Sequence, residues 1–181
     1  MKKLLLGIAA VCLAGFTFAQ DAPLWMRHSV ISPDGTTIAF TYKGDIYTVP
    51  VAGGRAMQIT TNPAYDTAPV WSPDSKRIAF ASDRMGSLDV YIVAKDGGEP
   101  RRLTTHSGSE TPLAFTDAGH VLFSAGIMPS AEAVVFPSNG QFNQVYRVSV
   151  EGGRPTMISS MPMECISINK EGAMLYQDKK G

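Results

Sequence analysis

The chain has 181 residues, of which 44% are hydrophobic and 18% charged, and its formal net charge is zero. That balance is ordinary for a folded domain and argues against a nucleic-acid groove or a polybasic membrane surface. The few basic residues that cluster, Lys76-Arg77 and Arg101-Arg102, fall on predicted strand edges, where charge discourages edge-to-edge aggregation.

The first twenty residues differ from the rest. Lys2-Lys3 precede an apolar run from Leu4 to Phe18, and Thr17-Phe18-Ala19 forms a small-x-small site. Such a run is shorter than the roughly 20 apolar residues that span a bilayer. Residues 1–20 are therefore expected to be a secretory signal, cut after Ala19 or Gln20. The product would be exported to a bacterial periplasm or the extracellular space, with no membrane segment left after cleavage. A lipid anchor at Cys12 is disfavoured by Val11, which stands where a small residue is wanted. Cys165 is then unaccompanied, so no disulfide is expected within the segment.

Past the signal, the chain reads as short strands between turns. Residues 21–30, DAPLWMRHSV, lead into a first inner strand, whose later counterparts are Thr67–Trp71 and Thr111–Phe115. Trp25 and Trp71 are both inner-strand candidates, with Trp71 packing between repeats. Ser32-Pro33-Asp34-Gly35 carries type I turn chemistry: proline fixes φ at the second position and glycine closes the turn. Asp34, and Asp74 in the next copy, can accept hydrogen bonds from N–H groups inside the turn. Second strands are predicted at Thr37–Thr41 and Arg77–Ser82. Third strands are predicted at Asp45–Val49 and Asp89–Val93, alternating as half-buried strands do. Gly-Gly pairs then allow positive φ ahead of fourth strands at Ala56–Thr60, Arg101–Thr105 and Pro155–Ser159.

These elements keep step. Asp34, Asp74 and Asp117 each sit four residues before the apolar triplets that begin at Ile38, Ile78 and Val121. Tyr47, Tyr91 and Tyr146 recur at spacings of 44 and 55, each six residues ahead of a Gly-Gly pair. Four antiparallel strands in a unit of this size describe a β-propeller blade. The expected class is all-β, with blades at about 25–66, 67–110 and 111–164 and a partial fourth at 165–181. A propeller of fewer than four blades does not close, so the segment is read as truncated in mid-domain, the remaining blades being its first partners.

The motif SPDG-x-x-IAF, then GDIY, GG and a terminal Leu/Ile-Thr, resembles the TolB-type propeller repeat over residues 25–181. The opening AFTYKGDIYTVPVAGGRAMQITTNPAYDTAPVWSPD, close behind a signal, is similar to the amino-terminal propeller of secreted tricorn-type serine proteases. In that family a second propeller, a PDZ domain and a serine-protease core follow. The resemblance implies a non-catalytic propeller that gates or docks peptide or protein substrates. The alternative is a TolB-like envelope protein that binds other proteins and has no enzymatic role. The third repeat departs from the pattern: it lacks Ser-Pro before Asp117 and has Ala118 in place of glycine.

No nucleophile elbow, zinc motif, phosphate loop or dinucleotide fingerprint is present, so no catalytic residue, metal or cofactor is expected. His106 with Ser107 or Ser109 and Asp66 would be a poor triad, because adjacent residues on one loop seldom meet correctly. Asp34, Asp74 and Asp117 occur once per blade and cannot supply the six or more oxygens of a calcium site, so they are read as structural turn carboxylates. Tyr47, Tyr91 and Tyr146 are read as packing between blades. The insertion Ser124 to Asn143, with Met128, Val134, Val135 and Phe136 outside the repeat pattern, is either a binding loop or an extended hairpin.

Overall fold

The computed structural model describes residues 25–126, 143–160, 163–169 and 173–178. Its strands fall into four antiparallel sheets in chain order. Blade one holds β1 (Arg27–Ile31), β2 (Thr37–Tyr42), β3 (Asp45–Pro50) and β4 (Met57–Gln58). Blade two holds β5 (Asp66–Trp71), β6 (Arg77–Ser82), β7 (Asp89–Ala94) and β8 (Arg101–Arg102). Blade three holds β9 (Glu110–Asp117), β10 (His120–Gly126), β11 (Asn143–Ser149) and β12 (Thr156–Ser159). A two-stranded sheet follows, β13 (Met163–Ile168) against β14 (Met174–Asp178). Within each blade, sequential strands are neighbours, as in a partial propeller.

Period-two alternation decides which side chain meets which blade. On β6, Ile78 and Phe80 join Ala39, Ile46 and Ile59 of blade one, whereas Ala79 turns toward Phe123 and Tyr146 of blade three. On β7, Tyr91 and Val93 face blade one, while Val90 and Ile92 face blade three. Asp89 to Val93 are all buried, so β7 is not the half-buried strand its alternation suggests. A sheet covered on both faces has no solvent side for the pattern to report. The aromatic anchors stack within each blade: Phe40 on Tyr47 at 5.9 Å, Phe80 on Tyr91 at 6.0 Å and Phe123 on Tyr146 at 5.7 Å.

Trp71 is buried between blades one and two, and its indole N–H donates to the Val30 carbonyl at 3.2 Å. Trp25 is different: it precedes β1, has φ 85° and is 69% exposed. It follows turn geometry rather than strand geometry.

The fourth strands of blades one and two are two residues each, shorter than the runs expected at Ala56–Thr60 and Arg101–Thr105. The Ile/Leu-Thr motif explains where the ladder stops. The Ile59 and Leu103 N–H groups still donate to the Ile46 and Val90 carbonyls, at 2.7 and 2.8 Å. The next bonds come from side chains: the Ile46 and Val90 N–H groups donate to the hydroxyls of Thr60 and Thr104, at 3.0 and 2.9 Å. The threonine hydroxyl thus takes over from a backbone acceptor and ends the strand.

Blade three keeps its hairpin in register to Gly126 opposite Asn143, so both ends of the insertion are strand. Met128, Val134, Val135 and Phe136 lie outside the described residues.

Candidate functional site

Each blade has two ends with different chemistry. One end carries the Asp-bearing turns between β1 and β2, β5 and β6, and β9 and β10. In the first two, the Gly35 and Ser75 N–H groups donate to the Ser32 and Ser72 carbonyls, closing the four-residue turns. Asp34 Oδ1 accepts from the Ser32 hydroxyl at 2.5 Å and from the Thr36 N–H at 3.0 Å. Asp74 Oδ1 accepts from the Ser72 hydroxyl at 2.6 Å and from the Lys76 N–H at 3.1 Å. Ser32 and its hydrogen bond, with help from Thr36, hold the Asp34 carboxyl at about 2. The Asp74 carboxyl is lowered for the same reason, first by Ser72 and then by the Lys76 N–H.

The turns also join blade to blade. The Asp34 N–H donates to the Ser75 hydroxyl at 3.1 Å, and the Arg77 guanidinium donates to the Ala118 carbonyl. In blade three, Asp117 Oδ1 accepts from the Gly119 N–H at 2.6 Å and faces His120 Nδ1 at 3.0 Å. Partial burial pushes the Asp117 carboxyl up, but His120 and the Gly119 N–H outweigh it and leave it lowered.

Asp74→Ala is expected to cost about 1 kcal/mol, because Ser72 keeps bonds to Arg77 after the carboxylate is gone. Asp74→Asn, which keeps an acceptor oxygen, should cost less. The carboxyl is lowered in the folded state, so its contribution holds above the ordinary value of 3.8 and fades as pH falls through the folded value. Urea titrations of the two variants from pH 7 down to pH 3 check both statements.

The opposite end carries a set of acids at the blade junctions, three of them fully buried, that the sequence motifs did not single out. Asp45 accepts from Gln58 at 3.0 Å and from the Thr60 hydroxyl at 3.2 Å. Asp66 is fully buried, and Arg84 Nη2 reaches both its oxygens at 3.1 Å. Asp89, also fully buried, pairs with Arg102 at 2.8 Å. Glu110 is fully buried and neither of its oxygens makes a well-formed hydrogen bond. Burial raises the Asp45 and Asp89 carboxyls. It pushes Glu110 up to about 7, with Asp89 adding to the rise and Thr104 and Arg102 opposing it. The signal for these acids was present in the sequence: Asp45 and Asp89 stand directly before Ile46-Tyr47 and Val90-Tyr91, and Asp66 and Glu110 directly before two inner strands.

Glu110 makes stability pH-dependent with a definite sign. Its folded-state value of about 7 lies above the ordinary 4.5, so the folded state prefers the protonated acid. Stability is expected to fall as pH rises from about 4.5 to about 7 and then to level off. Glu110→Gln should flatten that slope and raise the denaturation midpoint at neutral pH. Midpoints that fall equally in both proteins would place the titration elsewhere.

Among the described residues, no catalytic set is assembled from the histidines. His106 Nδ1 accepts from the Gly108 N–H at 3.0 Å, and its imagined partner Asp66 is engaged by Arg84. Among the described residues, no three His, Cys, Asp or Glu side chains converge as a metal site would require.

A cleft of about 420 Å³ opens at the acid-bearing end of blade one, lined by Trp25, Arg27, Thr41, Lys43, Gly44 and Tyr65. Lys43 (φ 52°) and Gly44 (φ 91°) form the two-residue turn between β2 and β3, the geometry that matches the strand twist. Arg27 lies over Trp25 at 5.8 Å and Lys43 over Tyr42 at 5.4 Å. The cleft can therefore offer two cations and two aromatic walls at one blade end.

The model of the tricorn protease N-terminal beta propeller domain matches residues 23–181. The chain belongs to that family. Tricorn protease homolog 1 of Streptomyces coelicolor is 35% identical over 102 residues, which cover 56% of this chain and 9% of that protein. The uncharacterized peptidase YuxL of Bacillus subtilis is 30% identical over 129 residues, covering 70% of this chain and 20% of that protein. The chain thus spans a fifth or less of these relatives. The crystal structure of TolB from Acinetobacter baumannii superposes with a TM-score of 0.64 at 19% identity, over 83% of this chain and 37% of that one, a likeness of fold. Among the described residues of this tricorn-type propeller, the polar groups gather in turns, at blade junctions and around the cleft on blade one.

Proposed function

We propose that this chain is the amino-terminal propeller of an exported tricorn-type serine peptidase, where it docks or gates peptide substrates and contributes no catalytic residue. The observation that carries the reading is the family match over residues 23–181. The Lys2-Lys3 and apolar leader supports export, and the cleft on blade one supports a docking role. The turn carboxylates Asp34, Asp74 and Asp117 serve the fold alone. The test is a serine-reactive fluorophosphonate probe on the complete natural protein, with the labelled residue mapped by mass spectrometry. Labelling on a serine outside residues 1–181, together with peptide hydrolysis, is the expected result. No labelling would refute it and favour the second reading, a TolB-like binding propeller of the cell envelope, which the structural likeness to TolB supports.

A further inference from the structure

The repeat allows blade one to be compared with its own copies. Arg27 pairs with Thr41 across β1 and β2; Thr67 pairs with Ala81 in blade two, and Thr111 with Ser124 in blade three. One residue earlier, blades two and three hold the buried acids Asp66 and Glu110, opposite Ser82 and Ala125. Blade one holds Met26 there, 50% exposed. In blade two the acid is gripped by Arg84 from the β6–β7 connection, and Arg84 lies over Tyr91 at 4.4 Å. In blade one the corresponding connection supplies Lys43, and Arg27 replaces the threonine beside it. The cation side of the arrangement is kept, and among the described residues of this blade no carboxylate stands opposite it.

The surroundings agree. Neither Arg27 nor Lys43 forms an ion pair among the described residues. The nearby acids are engaged elsewhere: Asp45 with Gln58 and Thr60, Asp66 with Arg84, and Asp83 with the Tyr65 N–H at 2.7 Å. Thr41 is 2% exposed, lines the cleft, and its hydroxyl has no hydrogen-bond partner. A buried donor beside two cations, between Trp25 and Tyr65, suits one carboxylate and the apolar stem that carries it.

We infer that the Trp25–Arg27–Thr41–Lys43–Tyr65 cleft is a recognition site for an acidic side chain presented by an extended peptide. The copies in blades two and three show how it would be delivered, as an Asp or Glu at the start of a strand. The inference rests on the docking role proposed above and narrows it to peptides bearing an internal acid.

The test titrates the full chain with a short N-acetylated, C-amidated peptide carrying one central glutamate among alanines and valines. Calorimetry gives the affinity, and quenching of the exposed Trp25 reports the place. Replacing the glutamate by glutamine should weaken binding about tenfold or more, the scale of a charge-assisted bond. Lys43→Asn removes the charge and suits a left-handed turn position, so it should fold and lose affinity to a similar degree. Lys43→Glu should prefer a peptide with lysine in the central place. A peptide with a free C-terminus and no acidic side chain that binds as well as the blocked glutamate peptide would overturn the assignment to side chains. Binding indifferent to both the glutamate and Lys43 would overturn the carboxylate site while leaving peptide docking intact. No binding of any peptide, with fluorophosphonate labelling still found beyond residue 181, would refute this site and leave the peptidase reading standing. Absence of labelling would refute the peptidase reading by itself.

Discussion

Arg84→Ala is expected to destabilise the protein by about 3–5 kcal/mol, the scale on which a buried pair loses one partner. Asp66 is fully buried and its carboxylate is held by Arg84, whose side chain is only 11% exposed. Arg84 also donates from Nε to the Ser82 hydroxyl at 2.9 Å and lies over both Phe80 and Tyr91. The alanine variant would leave a charge buried at the junction of blades one and two without its counter-ion. Arg84→Lys should be intermediate, because an ammonium neither reaches both oxygens nor stacks on the rings. Adding Asp66→Asn to Arg84→Ala should recover part of the loss, because the side chain left without its counter-ion is then neutral. Urea unfolding of the three variants is the measurement. A loss below about 1 kcal/mol for Arg84→Ala, the range of exposed pairs, would mean that water screens Asp66.

Phe80→Ala is expected to cost about 3–5 kcal/mol, as truncation of a fully buried aromatic does. Its ring has no exposed surface and fills the layer between blades one and two with Ile46, Trp71 and Tyr91. Phe40 holds the same place in blade one, but Ala39 is the residue that faces blade two, so Phe40 points away from it. Phe40 stacks on Tyr47, which is half-buried, where Tyr91 in the equivalent place is buried. Phe40→Ala should therefore cost distinctly less than Phe80→Ala. Paired thermal and urea melts of the full chain decide it. Equal losses would show that the outer face of blade one is packed as tightly as the faces between blades.

Much of this architecture is legible in the sequence because it is local. Ser-Pro-Asp-Gly closes a turn through its own side chains and backbone, and the observed bonds of Asp34 and Asp74 run to residues within two positions. The strand order follows from short connections between consecutive apolar runs, and in blades one and two the Ile/Leu-Thr motif follows directly on the short fourth strand. The Lys43-Gly44 hairpin is equally local.

What only the tertiary structure decided involves groups far apart in the chain or on both faces of one strand. The burial of β7 depends on a second neighbour that its own alternation does not encode. Trp71 packs between blades as its place in the repeat indicates, whereas Trp25, also an inner-strand candidate, is exposed because it lies in a turn ahead of β1. The grip of Arg84 on Asp66 spans 18 residues, and the ion pair between Asp89 and Arg102 crosses a strand and a turn. The cleft on blade one combines the start of β1, the tip of a hairpin and the entry to β5. Repetition placed these residues in register along the sequence. The stacking of blade on blade then decided which acids are buried against a cation and left two cations of blade one without an acid among the described residues.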